Sequence, residues 1–199
     1  LLKEKLTRKK IQCEQAWRLS KEKNDISIVK DLFNDVLTLT KEEAKQLSSN
    51  STKSPYDSLI NKYDMDLSSK TIDDLFSVIR NNIIPTYLNI NKFHNTSIPS
   101  LHMTNSDLLS EMKIFLKALK FDFNRGRIDL SSHPFCGGAN NDIRITTRFE
   151  KNVFESLSAL FHETGHGLYE QNRPSNNLYQ PIGQARSLTF HESQSLFFE

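Results

Sequence analysis

Apolar residues along this chain recur mostly at helical spacing. Leu6, Ile11, Trp17 and Leu19 open an amphipathic segment, and Ile28, Leu32, Phe33, Val36 and Leu37 keep the three-and-four rhythm. Thr40-Lys41-Glu42-Glu43 has the form of a capping box, so a helix is expected to start at Thr40. Ser54-Pro55 predicts another start, followed by Tyr56, Leu59, Ile60 and Tyr63. Ser69 or Thr71 predicts the cap of a helix carrying Ile72, Leu75, Phe76, Ile79 and Ile83 and ending near Pro85. Asn89 to Ser100 reads as a polar loop. Asn105 or Ser106 is then expected to cap a helix with Leu108, Leu109, Met112, Phe115, Leu116 and Leu119 on its apolar side.

The texture changes after Phe121. Gly126, Pro134, Gly137 and Gly138 interrupt the helical rhythm, and Ile143-Arg144-Ile145-Thr146-Thr147-Arg148 alternates with β-branched residues. Turns and one short strand are expected there. Helical spacing returns from Asn152 to Tyr169, with Val153, Leu157, Leu160, Phe161 and Leu168 apolar. Asn172 to Gln184 reads as a loop, and a last helix is expected from about Ser187 to Glu199. The reading is a mainly α chain, residues 1–199 forming a single domain with a small β insertion before the last-but-one helix.

Composition narrows the partners. The chain has 199 residues, enough for a real core, and 26 basic against 24 acidic side chains give a net charge of +2. That balance favours neither nucleic acid nor a membrane as partner. The basic run of Lys3, Lys5, Arg8, Lys9, Lys10, Arg18, Lys21 and Lys23 is read as a solvated helix face. Two cysteines, Cys13 and Cys136, make no disulfide framework and point to a reducing cytoplasm. No apolar run reaches the roughly 20 residues of a membrane span, and no signal peptide is visible. The chain lacks an initiator Met and stops at Glu199 within an apolar run, so a piece of a longer protein, incomplete at both ends, is expected.

Chemistry enters at His162-Glu163-Thr164-Gly165-His166. On a helix, two histidines four apart share one face and can reach one zinc ion, and Glu163 beside the first can act on a metal-bound water. Zinc needs a third protein ligand. Glu170 continues the spacing, but at about 1.5 Å per residue it stands about 12 Å along the axis from His162, too far to share an ion bound at about 2 Å. The closing helix offers Glu192, with Glu199 on the same face as the alternative and His191 as a weaker candidate that could instead orient a ligand or touch substrate. The chemistry expected is hydrolysis of a peptide bond, with Glu163 taking a proton from activated water and returning it to the leaving amine.

Five stretches together resemble the thermostable, Taq-type zinc metallocarboxypeptidases. They are His133-Pro134-Phe135, Asp142 to Arg148 (a DxRxT signature), His162 to Gln171, Gly183-Gln184-Ala185-Arg186-Ser187, and His191-Glu192-Ser193-Gln194-Ser195. The resemblance runs from roughly Ser54 to Glu199 and implies His162, His166 and Glu192 as zinc ligands and Glu163 as general base. It implies an almost wholly helical fold with a small sheet beside a substrate groove. It also implies removal of single C-terminal residues from peptides with broad preference, zinc or cobalt as the metal, and a cytosolic homodimer. In that picture His133, Asp142 and Arg144 lie near the site. Asp142 would hold a ligand histidine by its second nitrogen, and Arg144 or Arg148 would pair with a carboxylate, although Asp142 and Arg144 could equally only brace the strand. Cys136 is read as inert, and Phe135 and Phe161 as core residues. Two further signatures of the family, IRxxAD and GxxQDxHW, have no match here. The alternatives are a zinc endopeptidase or aminopeptidase, or an inactive truncated remnant that only binds a peptide or partner.

Overall fold

A computed structural model describes residues 1–90, 101, 103–131, 133–150 and 152–199. Contacts divide the chain into two compact units, Leu1–Tyr87 and Leu88–Glu199.

The first unit is helical. Helix α1 (Leu2–Lys23) and α2 (Ser27–Ser48) pack together, and Leu6, Val29, Leu39 and Ala44 on them are buried. Between them Asn24 takes a left-handed conformation, φ 51°, which a short amide side chain tolerates. The basic residues of α1 are mostly on its surface, where Arg8 pairs with Glu4 and Arg18 with Glu14. The helix start expected at Thr40 is absent, because α2 runs unbroken through it, and Glu43 pairs with Lys62 Nζ at 2.8 Å instead of capping. Short α3 (Pro55–Ile60) begins where expected, with the Ser54 hydroxyl accepting from the Asp57 amide. Asp57 in turn accepts from the Ser69 amide at the start of α4 (Ser69–Ile90). Helix α4 does not end near Pro85 but contains it. A proline inside a helix removes one i to i−4 hydrogen bond, and the flanking turns carry the helix past that gap. The helix takes in Asn89 and Ile90 of the expected loop, and the rest of that loop, 91–100, lies outside the described residues.

The second unit holds the main core. Thr104, not Asn105 or Ser106, caps α5 (Asn105–Ala118) by accepting from the Asp107 amide. Its Leu108, Met112 and Leu116 are buried against Phe121, Ile128, Ile143, Ile145, Leu160 and Leu168. Where one strand was expected there are three: β1 (Gly126–Leu130), β2 (Phe135–Ala139) and β3 (Asp142–Thr147). Strand β3 is central, parallel to β1 and antiparallel to β2. Its alternation puts Ile143 and Ile145 into the core and leaves Asp142 and Arg144 exposed. Helix α6 (Val153–Gln171), capped by Asn152, lies on the sheet, and α7 (Leu188–Phe198), capped by Ser187, packs on α6. The architecture is therefore mainly α with a small sheet beside the HExxH helix. Among the described residues no helix is long and apolar enough to cross a membrane.

Candidate metal centre

Two glycines set the position of α6. A Cβ on Gly167 would come within 2.9 Å of Ile145 Cδ1, and one on Gly165 would lie 2.4 Å from the backbone oxygen of Gln194. The first gives room to the Ile145 side chain of the sheet, and the second lets the α7 backbone approach closer than any side chain permits. The far end of α6 is tied down by Gln171. Its Oε1 accepts from the Asp122 amide at 3.0 Å, and its Nε2 donates to the Asp122 carbonyl at 2.9 Å.

With α6 so placed, its polar face meets α7. The pairing order (Ser158 with Glu199, His162 with Glu192, Tyr169 with Phe190) makes the two helices antiparallel. Glu192 Oε1 lies 3.1 Å from His162 Nε2, and Glu192 Oε2 lies 3.4 Å from His166 Nε2. Ligand atoms of these three residues all fall within 4.8 Å of one another. Neighbouring ligands of a tetrahedral zinc with bonds of about 2.0–2.2 Å are roughly 3.3 Å apart, so the donor set and the two closest spacings fit such an ion.

The outer nitrogens of the histidines are also engaged. His162 Nδ1 lies 3.0 Å from Glu199 Oε2, while Ser158 donates to Glu199 Oε1 at 3.0 Å. Both bonds hold the Glu199 carboxyl below its ordinary range. An ionised carboxylate only accepts, so Glu199 favours a hydrogen on His162 Nδ1, while Glu192 attracts one to Nε2 until an ion takes its place. His166 Nδ1 lies 2.7 Å from His191 Nδ1, and His191 Nε2 lies 2.9 Å from Glu170 Oε1. Burial, then the neighbouring His191, lowers the His166 pKa and favours the neutral ring that binds metals. Glu163 is 8% exposed. Burial pushes its carboxyl above the usual range, His162 opposes that rise and Glu192 adds to it.

The other residues singled out in the sequence lie elsewhere. Asp142 and Arg144 pair with each other at 2.7 Å on the exposed side of β3, opposite the side that Ile143 and Ile145 turn to the core. The Arg144 guanidinium holds the Asp142 carboxyl below its usual range. His133 is exposed in the bend before β2, its carbonyl accepting from Ser131 Oγ and Thr146 Oγ1. Cys136 of β2, partly buried, lines a cleft of about 390 Å³ together with Glu170, Arg173, Gln184 and His191. Three features were not read from the sequence: Glu170 as the partner of His191, Glu199 as the support of His162, and the close approach at Gly165. Only the last left a signal, a glycine in the interior of a helix.

A helix bearing HExxH, its two histidines facing a carboxylate from an antiparallel neighbour, beside a three-stranded sheet, is the arrangement of a metallopeptidase. The chain belongs to the carboxypeptidase Taq (M32) metallopeptidase family, whose model matches residues 1–199 and so runs through both compact units. It is 30% identical over 193 residues to carboxypeptidase 1 of Bacillus subtilis, covering 94% of this chain and 38% of that protein. Its structure is similar to that of Trypanosoma cruzi metallocarboxypeptidase 1, with a TM-score of 0.82 and 33% identity over 100% of this chain and 41% of the other. It is also similar to an M32 carboxypeptidase from Deinococcus radiodurans, with a TM-score of 0.83 and 26% identity over 100% of this chain and 40% of that one. The chain thus spans about two fifths of the length of these relatives.

Proposed function

We propose that this protein is a zinc-dependent carboxypeptidase that releases single C-terminal residues from peptides with broad preference. The observation that carries the reading is the convergence of His162, His166 and Glu192, with buried Glu163 among them, in a chain of a carboxypeptidase family. His162 Nε2, His166 Nε2 and the Glu192 carboxylate would hold the ion, with cobalt accepted by the same donors. When bound, the metal supplies a Lewis acid that acidifies water and polarises a peptide carbonyl. Glu163 would take a proton from the attacking water and return it to the departing amine. Its burial suits the task, because a carboxylate with a raised pKa is a stronger base. His133, exposed before β2, and Asp142 and Arg144, exposed on β3, are proposed as contacts for the peptide. As in the resemblance, the working form is a cytosolic homodimer.

Two peptides of one sequence test the reading, one ending in a free carboxylate and one in an amide. The free acid is expected to lose residues one at a time from its C-terminus while the amide stays intact. Glu163→Gln is expected to lower turnover by about a hundred- to ten-thousand-fold with zinc content unchanged. Internal cleavage of the amide would move the reading to an endopeptidase on the same centre. Zinc binding without turnover in the wild type would leave a peptide-binding module.

A further inference from the structure

Glu170 stands too far along α6 to bind the ion that His162 binds, yet it is not an ordinary surface carboxylate. Glu170 is 18% exposed at its side chain, and its Oε2 forms an ion pair with Arg173 Nε at 2.9 Å. Its Oε1 meets His191 Nε2 at 2.9 Å, and His191 Nδ1 meets His166 Nδ1 at 2.7 Å. Tyr169 stands edge-on to the His191 ring with centroids 5.1 Å apart, fixing the plane in which both bonds are made.

We propose that Glu170 is a positioning residue for the metal centre: acting through His191, it selects the tautomer of His166 that leaves Nε2 bare. The inference rests on the metal-centre reading above. A carboxylate paired with Arg173 accepts and does not donate, so His191 carries its hydrogen on Nε2. The neutral His191 ring then has a bare Nδ1, which can only accept. Once an ion takes the place of a hydrogen between His166 Nε2 and Glu192 Oε2, now 3.4 Å apart, His166 donates from Nδ1 to that acceptor. Reversing the first bond reverses every later one. A hydrogen on His191 Nδ1 would put the His166 hydrogen on Nε2, where it blocks ligation. The two ligand histidines thus receive the same instruction by different routes. Glu199 acts on His162 directly, whereas Glu170 acts on His166 at one remove, from the wall of the cleft that Cys136, Gln184 and His191 also line.

The test is a double-mutant cycle read as Zn²⁺ affinity, by competition with a chromophoric chelator, in the full protein. Glu170→Gln keeps size but presents an amide that can donate as well as accept. It is expected to weaken zinc binding about tenfold or more, within the range typical for groups that support ligands. In a His191→Phe background, where no hydrogen bond passes through position 191, the same change is expected to shift affinity less than about threefold, so the two effects are strongly non-additive. ¹⁵N spectra of the zinc-loaded wild type, which need no variant to fold, are expected to show the Nε2–H form of His191 and the Nδ1–H form of His166. Equal losses from Glu170→Gln in both backgrounds, or the Nδ1–H form of His191, would overturn the relay. Unchanged zinc affinity with a raised KM in His191→Phe would also overturn it and make His191 a substrate contact. A wild type that takes up no zinc removes the metal-centre reading itself, and the relay with it.

Discussion

Burial acts on two neighbouring groups of the site in the same sense, and with opposite consequences. At Glu163 it raises the carboxyl pKa and makes a stronger base. At Cys136 it raises the thiol from 9.0 to about 12, with the charges of Glu163 and Glu170 adding to the rise, and so silences a nucleophile. A thiol-specific reagent at pH 8 is therefore expected to modify Cys13 and to spare Cys136 until the protein is unfolded, counted by mass of the labelled peptides. The same shift makes stability fall in alkali. A thiol whose folded pKa lies above its unfolded value contributes fully below the unfolded pKa, and the contribution is lost as pH rises through the folded one. Denaturation midpoints should drop more steeply between about pH 9 and 12 in wild type than in Cys136→Ala, and equal slopes would remove the burial argument. The spacing of HExxH was legible in the sequence, because it depends on residue type and on a helix, whereas the burial of Cys136 depends on how the sheet packs. The bonds from Glu170 to His191 and from Glu199 to His162 were not, because they depend on how two helices are rotated against each other.

Among the elements, α6 departs most from ordinary helix chemistry. A glycine in a helix interior costs about 1 kcal/mol relative to alanine, so Gly165→Ala would stabilise an isolated helix. Here the added Cβ meets the backbone oxygen of Gln194 at 2.4 Å and Ser195 Cα at 2.6 Å, and backbone atoms cannot swing aside. The expected sign is reversed: with immovable backbone at 2.4 Å the overpacking cost lies at the upper end of about 1–3 kcal/mol, and against a gain of about 1 it leaves a net loss of up to about 2 kcal/mol, together with weaker zinc binding as α7 is pushed away. Thermal unfolding and zinc titration of the same variant check this, and a stabilised Gly165→Ala would contradict the close approach. The helices were legible wherever the apolar rhythm ran long, as in α2, α5 and α6. Their boundaries were less so. The Thr40 capping-box pattern is genuine in form, but the apolar rhythm carries α2 straight through it. Strands β1 and β2 escaped notice because Gly126, Gly137 and Gly138 weaken a periodicity that five-residue strands barely express.

For the whole molecule, the family match and the length of the relatives bear on surface. Helix α4 buries none of its residues, and Leu75, Phe76, Ile79 and Ile83 are each more than two-fifths exposed. Soluble proteins seldom leave so continuous an apolar face uncovered. Residues 1–199 alone are therefore expected to bind a hydrophobic dye and to associate with rising concentration in sedimentation experiments, and Phe76→Glu with Ile83→Glu should reduce both. A dye-free monomer at high concentration would remove the expectation. The mainly α class and its small sheet were legible from periodicity, whereas the exposed face was not, because the same stripe in a sequence predicts a buried one.

Helix α7 carries His191 and Glu192, and Glu199 is its C-cap. One short segment thus delivers a candidate ligand, the intermediary for His166 and the support for His162. Detaching it would strip the centre of all three at once, so ion occupancy and the seating of this segment form a single equilibrium. By mass action, zinc at a thousand times its dissociation constant stabilises the seated form by about 4.1 kcal/mol. An ion bound there would act as a latch for α7, and chelation should release α7 to protease and to hydrogen exchange before the sheet and α5 yield.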